Sequence, residues 1–370
     1  MFFIVNDVQI PVRLEITDST WNINNADETI TLKPHYYAAD SFSVEMPLFH
    51  TQLIGKIQTD TTLNGIWIDP TRVPKSSITF SVKPNHQPYQ DVATLGTESI
   101  YDCQFSPDQP ENQSHAVGIL KTYGGQIHAT FLTETGDYRF LEGNTTGQSI
   151  ELSCFDGTHL FYFCANIKGD SLTDGHFVSG STWQEKWSGY LHPSAQLRDP
   201  DSLTKFVSKE NFAFTALDQS QQKILFDSTR FKDHVTIVQI LGSWCPNCTD
   251  ESKFLKDLYA AYNNKGLQII PVAFEREATV EDQLFRVQRQ FQDLEIPYPP
   301  YLGGTSPKSK AEQVFPQLNH IISYPTTIIL DKKGKVRKIH TGFYGPGTGK
   351  YYMHHKELLT MFVEALLDEH

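Results

Sequence analysis

The chain is poor in cysteine and has no long apolar run. Five cysteines in 370 residues are far too few for a fold stapled by disulfides. No hydrophobic stretch approaches the roughly 18 residues that a membrane-spanning helix needs; the longest are short pieces such as IIPVAF. The start, MFFIVNDVQIP, reaches Asn6 and Asp7 after only about four apolar residues, short of the about 7–15 of a signal-peptide core. The expectation is a chain that is either cytosolic as written or a mature form whose leader has been removed. Positive charge is scarce in one region. Residues 1–200 carry 11 Lys and Arg against 23 Asp and Glu, while residues 201–370 carry 20 of each, so the whole net charge of −12 lies in the first part. That argues against nucleic acid or an anionic membrane surface as a partner.

What is present reads as two domains, each long enough to bury its own core. The first 200 residues are written in strands and turns: SITFSVKP, GQIHATFLT, QSIELSCF and HLFYFCANI alternate in polarity and are separated by Gly, Asp and Asn clusters. This spacing predicts an all-β domain over 1–200, an antiparallel barrel or sandwich. A meander of at least four strands is expected over 136–180, with turns near Gly143-Asn144, Asp156-Gly157 and Gly169-Asp170. A polar, proline-containing link, HPSAQLRDPDSL (192–203), closes it.

From about residue 205 strands alternate with helices. DHVTIVQIL and LQIIPVAFE read as buried strands. Helices are predicted from Pro246 to the stop at Gly266, over 279–294 with Leu284, Val287, Phe291 and Leu294 on one face, and over HHKELLTMFVEALLDE. YPTTIILD and KVRKIHTGF flank KKGK as a hairpin. The expected fold of 205–370 is an α/β mixed sheet covered by helices.

The chemistry concentrates in LGSWCPNCTDE (241–251), where the first strand ends and a helix begins. A disulfide exchanger needs a thiolate open to attack and a second thiol close enough to resolve the mixed disulfide. Unpaired N–H groups and the positive end of the helix dipole favour the anion at Cys245. Three residues of helix bring Cys248 to the same face one turn deeper, and Pro246 suits the first helical position, where its missing N–H is no loss. Cys245 is therefore expected to be the nucleophile and Cys248 the resolver. A structural zinc site would need four ligands. Cys103, Cys154 and Cys164 form no second pair, and His354 and His355 are adjacent, roughly 100° apart on a helix.

SYPTT (323–327) places Pro325 at the entry to a predicted strand. WCPNC, this proline loop, the strand order and the extra helix at 279–294 together resemble the TlpA/ResA-like thiol-disulfide oxidoreductases of the thioredoxin superfamily, over about 205–370. The resemblance implies a cis-proline at 325 that faces the cysteines and blocks metal capture by them. It implies that the backbone of Tyr324 pairs with a substrate chain, with Trp244, Pro246 and Asn247 beside it. Glu251 matches a glutamate that ResA-like members carry to tune the cysteines; an ordinary solvated helix acid is the other reading. Thioredoxin's buried aspartate, six residues before its first cysteine, is Gln239 here, which leaves Glu251 or Glu275 as the substitute.

The resemblance further implies protein disulfides as substrates, an upstream dithiol protein as electron donor, and no metal or organic cofactor. It implies a periplasmic or other extracytoplasmic setting, with the cytoplasm as the alternative. Two other functions compete. A thiol peroxidase would want Pro-x-x-x-Thr-x-x-Cys, which Gly242-Ser243-Trp244 before Cys245 does not supply. A binding protein whose β-domain carries the main role is the second. Gly65-Ile66-Trp67 is similar to the GxW of lipocalin-like barrels, and segments such as SGSTWQEKWSGY are similar to β-rich extensions of TlpA-like proteins. GFYGPGTGKYY (342–352) misses the phosphate-loop pattern at Tyr344 and Tyr351. Cys154 and Cys164 flank a turn in registers that keep them apart, so both are expected to be buried small hydrophobes.

Overall fold

Alternation of apolar and polar residues makes every regular element among the described residues before 198 a strand. The computed structural model describes residues 1–17, 19–69, 77–84 and 96–369. It divides the chain into two units, Met1–Thr133 with Tyr138–Leu197, and Glu134–Asp137 with Arg198–His370.

The first unit holds an open sheet of seven strands, a three-stranded meander over Arg13–Leu32, and a closed barrel. The barrel runs through eight antiparallel strands from Thr97–Phe105 to Trp183–Leu191 and closes where Ser114–Tyr123 pairs with Gln126–Thr133. The expected barrel is thus present, but Gly65-Ile66-Trp67 lies outside it, in the Leu63–Ile68 strand of the open sheet. Phe105, Phe131, Phe163, Phe177 and Trp187 form one fully buried aromatic cluster of the barrel core. Phe163 stacks on Phe177 at 4.2 Å and on Phe131 at 4.7 Å between ring centroids. Each such ring removes about 150–250 Å² from water, so this cluster is the main apolar store of the unit.

Gly143-Asn144 is not a turn. It lies within the Leu141–Thr145 strand, and the reversal falls after it, at 146–148. Glycine is required there by close approach: a Cβ on Gly143 would stand 1.7 Å from the carbonyl oxygen of Glu151 on the paired strand. Cys154 pairs opposite Phe161 and Cys164 opposite Glu151, so these two thiols stay apart as expected; Cys154 is buried, but Cys164 is only half-buried, against the expectation.

The second unit is a seven-stranded mixed sheet. Its central strand, Val235–Leu241, runs parallel to Leu267–Glu275 and antiparallel to Thr326–Leu330, which pairs in turn with Val336–Thr341. All seven residues of Val235–Leu241 are buried, which is why that segment is continuously apolar apart from Thr236 and Gln239. Helices Pro246–Tyr262, Val280–Asp293 and Lys350–Asp368 fall where the periodicity placed them. Three strands were not foreseen: Phe214–Leu217, Lys223–Phe226 and Tyr301–Thr305. The last contains Gly303, where a Cβ would meet the Phe274 ring at 2.3 Å; its two glycines read locally as a loop.

Candidate active site

The central strand ends at Leu241, and a short turn delivers Cys245 to the start of the Pro246–Tyr262 helix. Cys245 is the N-cap, extended at φ −103° and ψ 113°, and its Sγ accepts the N–H of Cys248 at 3.3 Å. A thiol here takes the place a serine or aspartate oxygen takes in an ordinary cap. Pro246 occupies the first helical position, as the sequence implied. The Cys245 thiol also donates to the Tyr324 carbonyl at 3.5 Å, and the Tyr324–Pro325 peptide is cis. Cys245, Cys248, Tyr324 and Pro325 therefore meet at one point. Cys245 is 7% exposed and Cys248 fully buried. Burial, with the neighbouring Cys245 thiol, pushes Cys248 well above the ordinary thiol value.

Glu251 is 1% exposed, which rules out the solvated helix acid. Its Oε2 accepts from Gln239 Nε2 at 2.8 Å and its Oε1 from Thr327 Oγ1 at 2.6 Å. Ser252 Oγ donates to Gln239 Oε1 at 3.1 Å, and Gln239 Nε2 also reaches the Cys248 carbonyl at 3.4 Å. Burial pushes the Glu251 carboxyl up to about 7, against the pull of the two hydrogen bonds it accepts. Glu275 ends the Leu267–Glu275 strand and holds the turn before Cys245. It is fully buried and takes both the N–H and the Oγ–H of Ser243, at 2.8 and 2.6 Å. Its carboxyl is likewise pushed up to about 7, again by burial first. Both candidate acids are thus present at the site, in two separate hydrogen-bonded clusters.

The turn itself is clamped by residues that sequence reasoning missed. Gln290 Nε2 donates to the Ser243 carbonyl at 2.7 Å and to Thr249 Oγ1 at 3.0 Å, while Thr249 Oγ1 donates to the Cys245 carbonyl at 3.2 Å. A signal existed: Gln290 continues the stripe of Leu284 and Val287 on its helix, a polar residue at a core position. Trp244 Nε1 donates to the Phe274 carbonyl at 3.0 Å, and the Arg276 guanidinium lies 4.0 Å over its ring. Asn247 Nδ2 donates to the Phe343 carbonyl at 3.3 Å. Among the described residues no group of three or more His, Cys, Asp or Glu is placed to hold a metal ion.

Known proteins match the C-terminal part of the chain. The Redoxin family matches residues 201–350. Thiol-disulfide oxidoreductase ResA of Bacillus cereus is 29% identical over 160 residues, covering 43% of this chain and 79% of the relative. ResA of Bacillus thuringiensis is 29% identical over 131 residues, covering 35% and 66%. These relatives support a TlpA/ResA-like thiol-disulfide oxidoreductase of the thioredoxin superfamily in the C-terminal unit. Among solved structures, a thioredoxin-family thiol:disulfide interchange protein from Chlorobium tepidum is 18% identical, with a TM-score of 0.31, covering 47% of this chain and 99% of that one. A thiol:disulfide interchange protein from Bacteroides sp. is 18% identical, with a TM-score of 0.32, covering 43% and 93%. Gln239, six residues before Cys245, is hydrogen-bonded to Glu251.

Proposed function

We propose that the chain reduces protein disulfides by dithiol exchange through Cys245 and Cys248, in an extracytoplasmic compartment, with electrons supplied by another dithiol protein. The observation that carries this reading is the Cys245 Sγ at the helix cap, holding the Cys248 N–H at 3.3 Å beside the Tyr324–Pro325 peptide. The Cys245 thiolate attacks one sulfur of the substrate disulfide, and the other sulfur leaves as a thiolate and takes up a proton. The Cys248 thiol then gives up its proton, and its thiolate attacks the Cys245 sulfur. The second substrate thiol is released and Cys245–Cys248 is left as a disulfide. Two electrons pass to the substrate. Tyr324 and Pro325 would line the approach of the substrate chain, with Trp244, Pro246 and Asn247 forming the adjoining surface.

The order of attack follows from burial: Cys248, fully enclosed and pushed to high pKa, cannot be the first thiol to meet a protein disulfide. Cys248→Ala should accumulate a mixed disulfide between Cys245 and an oxidised protein substrate, seen on non-reducing gels and by mass. Trapping through Cys248 in a Cys245→Ala protein would reverse the assignment.

Glu251 is proposed to take the Cys248 proton, directly or across the buried cluster it shares with Gln239. Glu251→Gln should then lower the resolving step at neutral pH on the order of 10²-fold and flatten the pH–rate inflection near 7. Stability supplies a second readout. A carboxyl raised from 4.5 to about 7 on folding holds its proton more tightly in the native state. Folding is therefore favoured below 4.5, and that advantage is lost as pH rises to 7, on the order of 3 kcal/mol. Urea midpoints taken between pH 5 and 8 should fall with pH in the native protein and fall less in Glu251→Gln, with Glu275 still contributing. Identical pH slopes would remove Glu251 from the scheme.

A further inference from the structure

Inward positions along the barrel strands recur every second residue, and they are filled unevenly. At one level Phe105, Phe131, Phe163, Phe177 and Trp187 close the interior with rings. At the next, Cys103 is fully buried, and room for its sulfur comes from two glycines on the adjoining strands: a Cβ on Gly118 or Gly189 would stand 3.1 or 3.0 Å from Cys103 Sγ. Beyond Cys103 the inward residues are mainly aliphatic or hydroxyl-bearing, with Tyr101 the one aromatic ring among the described residues of the lining. A cavity of about 440 Å³ opens there, walled by Leu120, Ile127, Ile150, Ile167 and Leu172 from five different strands. Ser99, Tyr101, Thr122, Thr145 and Thr146 add hydroxyl-bearing side chains to its lining, as many as the aliphatic ones. No Asp, Glu, Lys, Arg or His lines it among the described residues.

An eight-stranded barrel is just wide enough to be filled by its own side chains or to hold one small ligand, and barrel mouths are recurrent ligand sites. A barrel serving only as a spacer would continue the ring-filled layer to its end; this one stops halfway. We propose that the open end of the barrel binds one small, uncharged, largely aliphatic molecule with a hydrogen-bonding head group.

The walls set the chemistry. Five aliphatic side chains accept an alkyl body, and with no ionic partner in the lining a charged group would be buried unpaired, which is strongly disfavoured. Serine, threonine and tyrosine hydroxyls can each donate or accept, which suits an alcohol or ester oxygen. Burial pushes the Tyr101 phenol above its ordinary value, so it remains a neutral donor at physiological pH. At roughly 30 Å³ per water-sized group the cavity takes on the order of 10–15 non-hydrogen atoms, the size of a medium-chain alcohol or its ester. This site lies within the N-terminal unit and does not depend on the redox reading.

The test uses the full chain and the neutral fluorophore 2-naphthol, whose roughly 11 non-hydrogen atoms are within the capacity of the cavity. The expected result is saturable binding of one molecule per chain with a Kd of about 1–50 μM. 1-Decanol should displace it at least about tenfold better than decanoate or decyltrimethylammonium at pH 7. Ile150→Trp and Ile167→Phe each fill the cavity and should weaken binding at least about tenfold. Should either variant fail to fold, NMR of the native chain decides: 1-decanol must shift amides around 99–101, 120–127, 150 and 167–172. Non-saturable binding, equal competition by the charged amphiphiles, unchanged binding in the folded variants, or shifts confined elsewhere would each overturn the proposal.

Discussion

Cys245→Ser should lower disulfide reduction at least ~10³-fold while leaving the fold as stable as before or slightly more so. The two halves of that expectation have separate causes. A serine hydroxyl is almost entirely un-ionised at neutral pH and is a poor nucleophile toward sulfur, so the exchange loses its attacking group. The cap, by contrast, survives the change. Cys245 already holds the Cys248 N–H at 3.3 Å, and serine is among the best residues for that position. Pro246 and the clamp of Gln290 and Thr249 on the turn do not involve the sulfur. The measurements are single-turnover reduction of an oxidised protein and of a small disulfide, together with urea unfolding followed by far-UV circular dichroism. Activity within tenfold of the native protein would move the nucleophile elsewhere. Equal loss of stability and activity would mean that the sulfur is structural.

Phe163→Ala should cost about 3–5 kcal/mol of stability in the N-terminal unit. Phe163 is fully buried, lies 4.2 and 4.7 Å from Phe177 and Phe131, and meets Tyr138 edge-on at 5.3 Å. Removing it opens a void between rings that are fixed by a closed ladder of strands and cannot collapse far, so the cost belongs at the upper end for a buried aromatic. In urea the midpoint should drop by roughly 1–2 M with an unchanged slope. Phe163→Leu, which keeps most of the volume, should cost less than half as much. A loss below 1 kcal/mol for the alanine variant would show that the rings are loosely packed and that stability resides elsewhere.

Local pattern carried most of the fold. The Cys245–Cys248 spacing ahead of an amphipathic helix is a short-range signal, and the helix Pro246–Tyr262 follows it. The proline at 325 drew its meaning from the resemblance, and two strands, Phe214–Leu217 and Lys223–Phe226, follow the change of periodicity near residue 205. Barrel closure was not legible in the same way. It depends on Ser114–Tyr123 pairing with both Thr97–Phe105 and Gln126–Thr133, and an alternating strand looks alike in a sandwich and a barrel. Gly143 misled because glycine serves both turns and close backbone contact, and only the partner strand tells which.

The ambiguity of Glu251 could have been resolved from sequence. Cys248, Glu251, Leu255 and Leu258 follow one another at three- and four-residue steps, so the acid falls on the buried stripe of its helix. Its partners could not be read there, since Gln239 and Thr327 come from two other strands. Ser243 and Glu275 meet across neighbouring strand ends for the same reason.

Closure of the barrel also bears on how the chain behaves in crowded solution. A sheet that meets itself has no unpaired rim for a second molecule to extend. Among the described residues of the first unit that exposure falls to the three-stranded meander over Arg13–Leu32 and to the open seven-stranded sheet, whose outer strands are Val8–Pro11 and Pro34–Ala38. Each carries a proline, which cannot donate a ladder hydrogen bond, yet the second also turns Tyr36 and Tyr37 outward at 48% and 57% exposure. If partly unfolded chains associate on storage or overexpression, the strand at 34–38 is where they would first adhere, and lysine at position 36 or 37 is the change that would keep them apart.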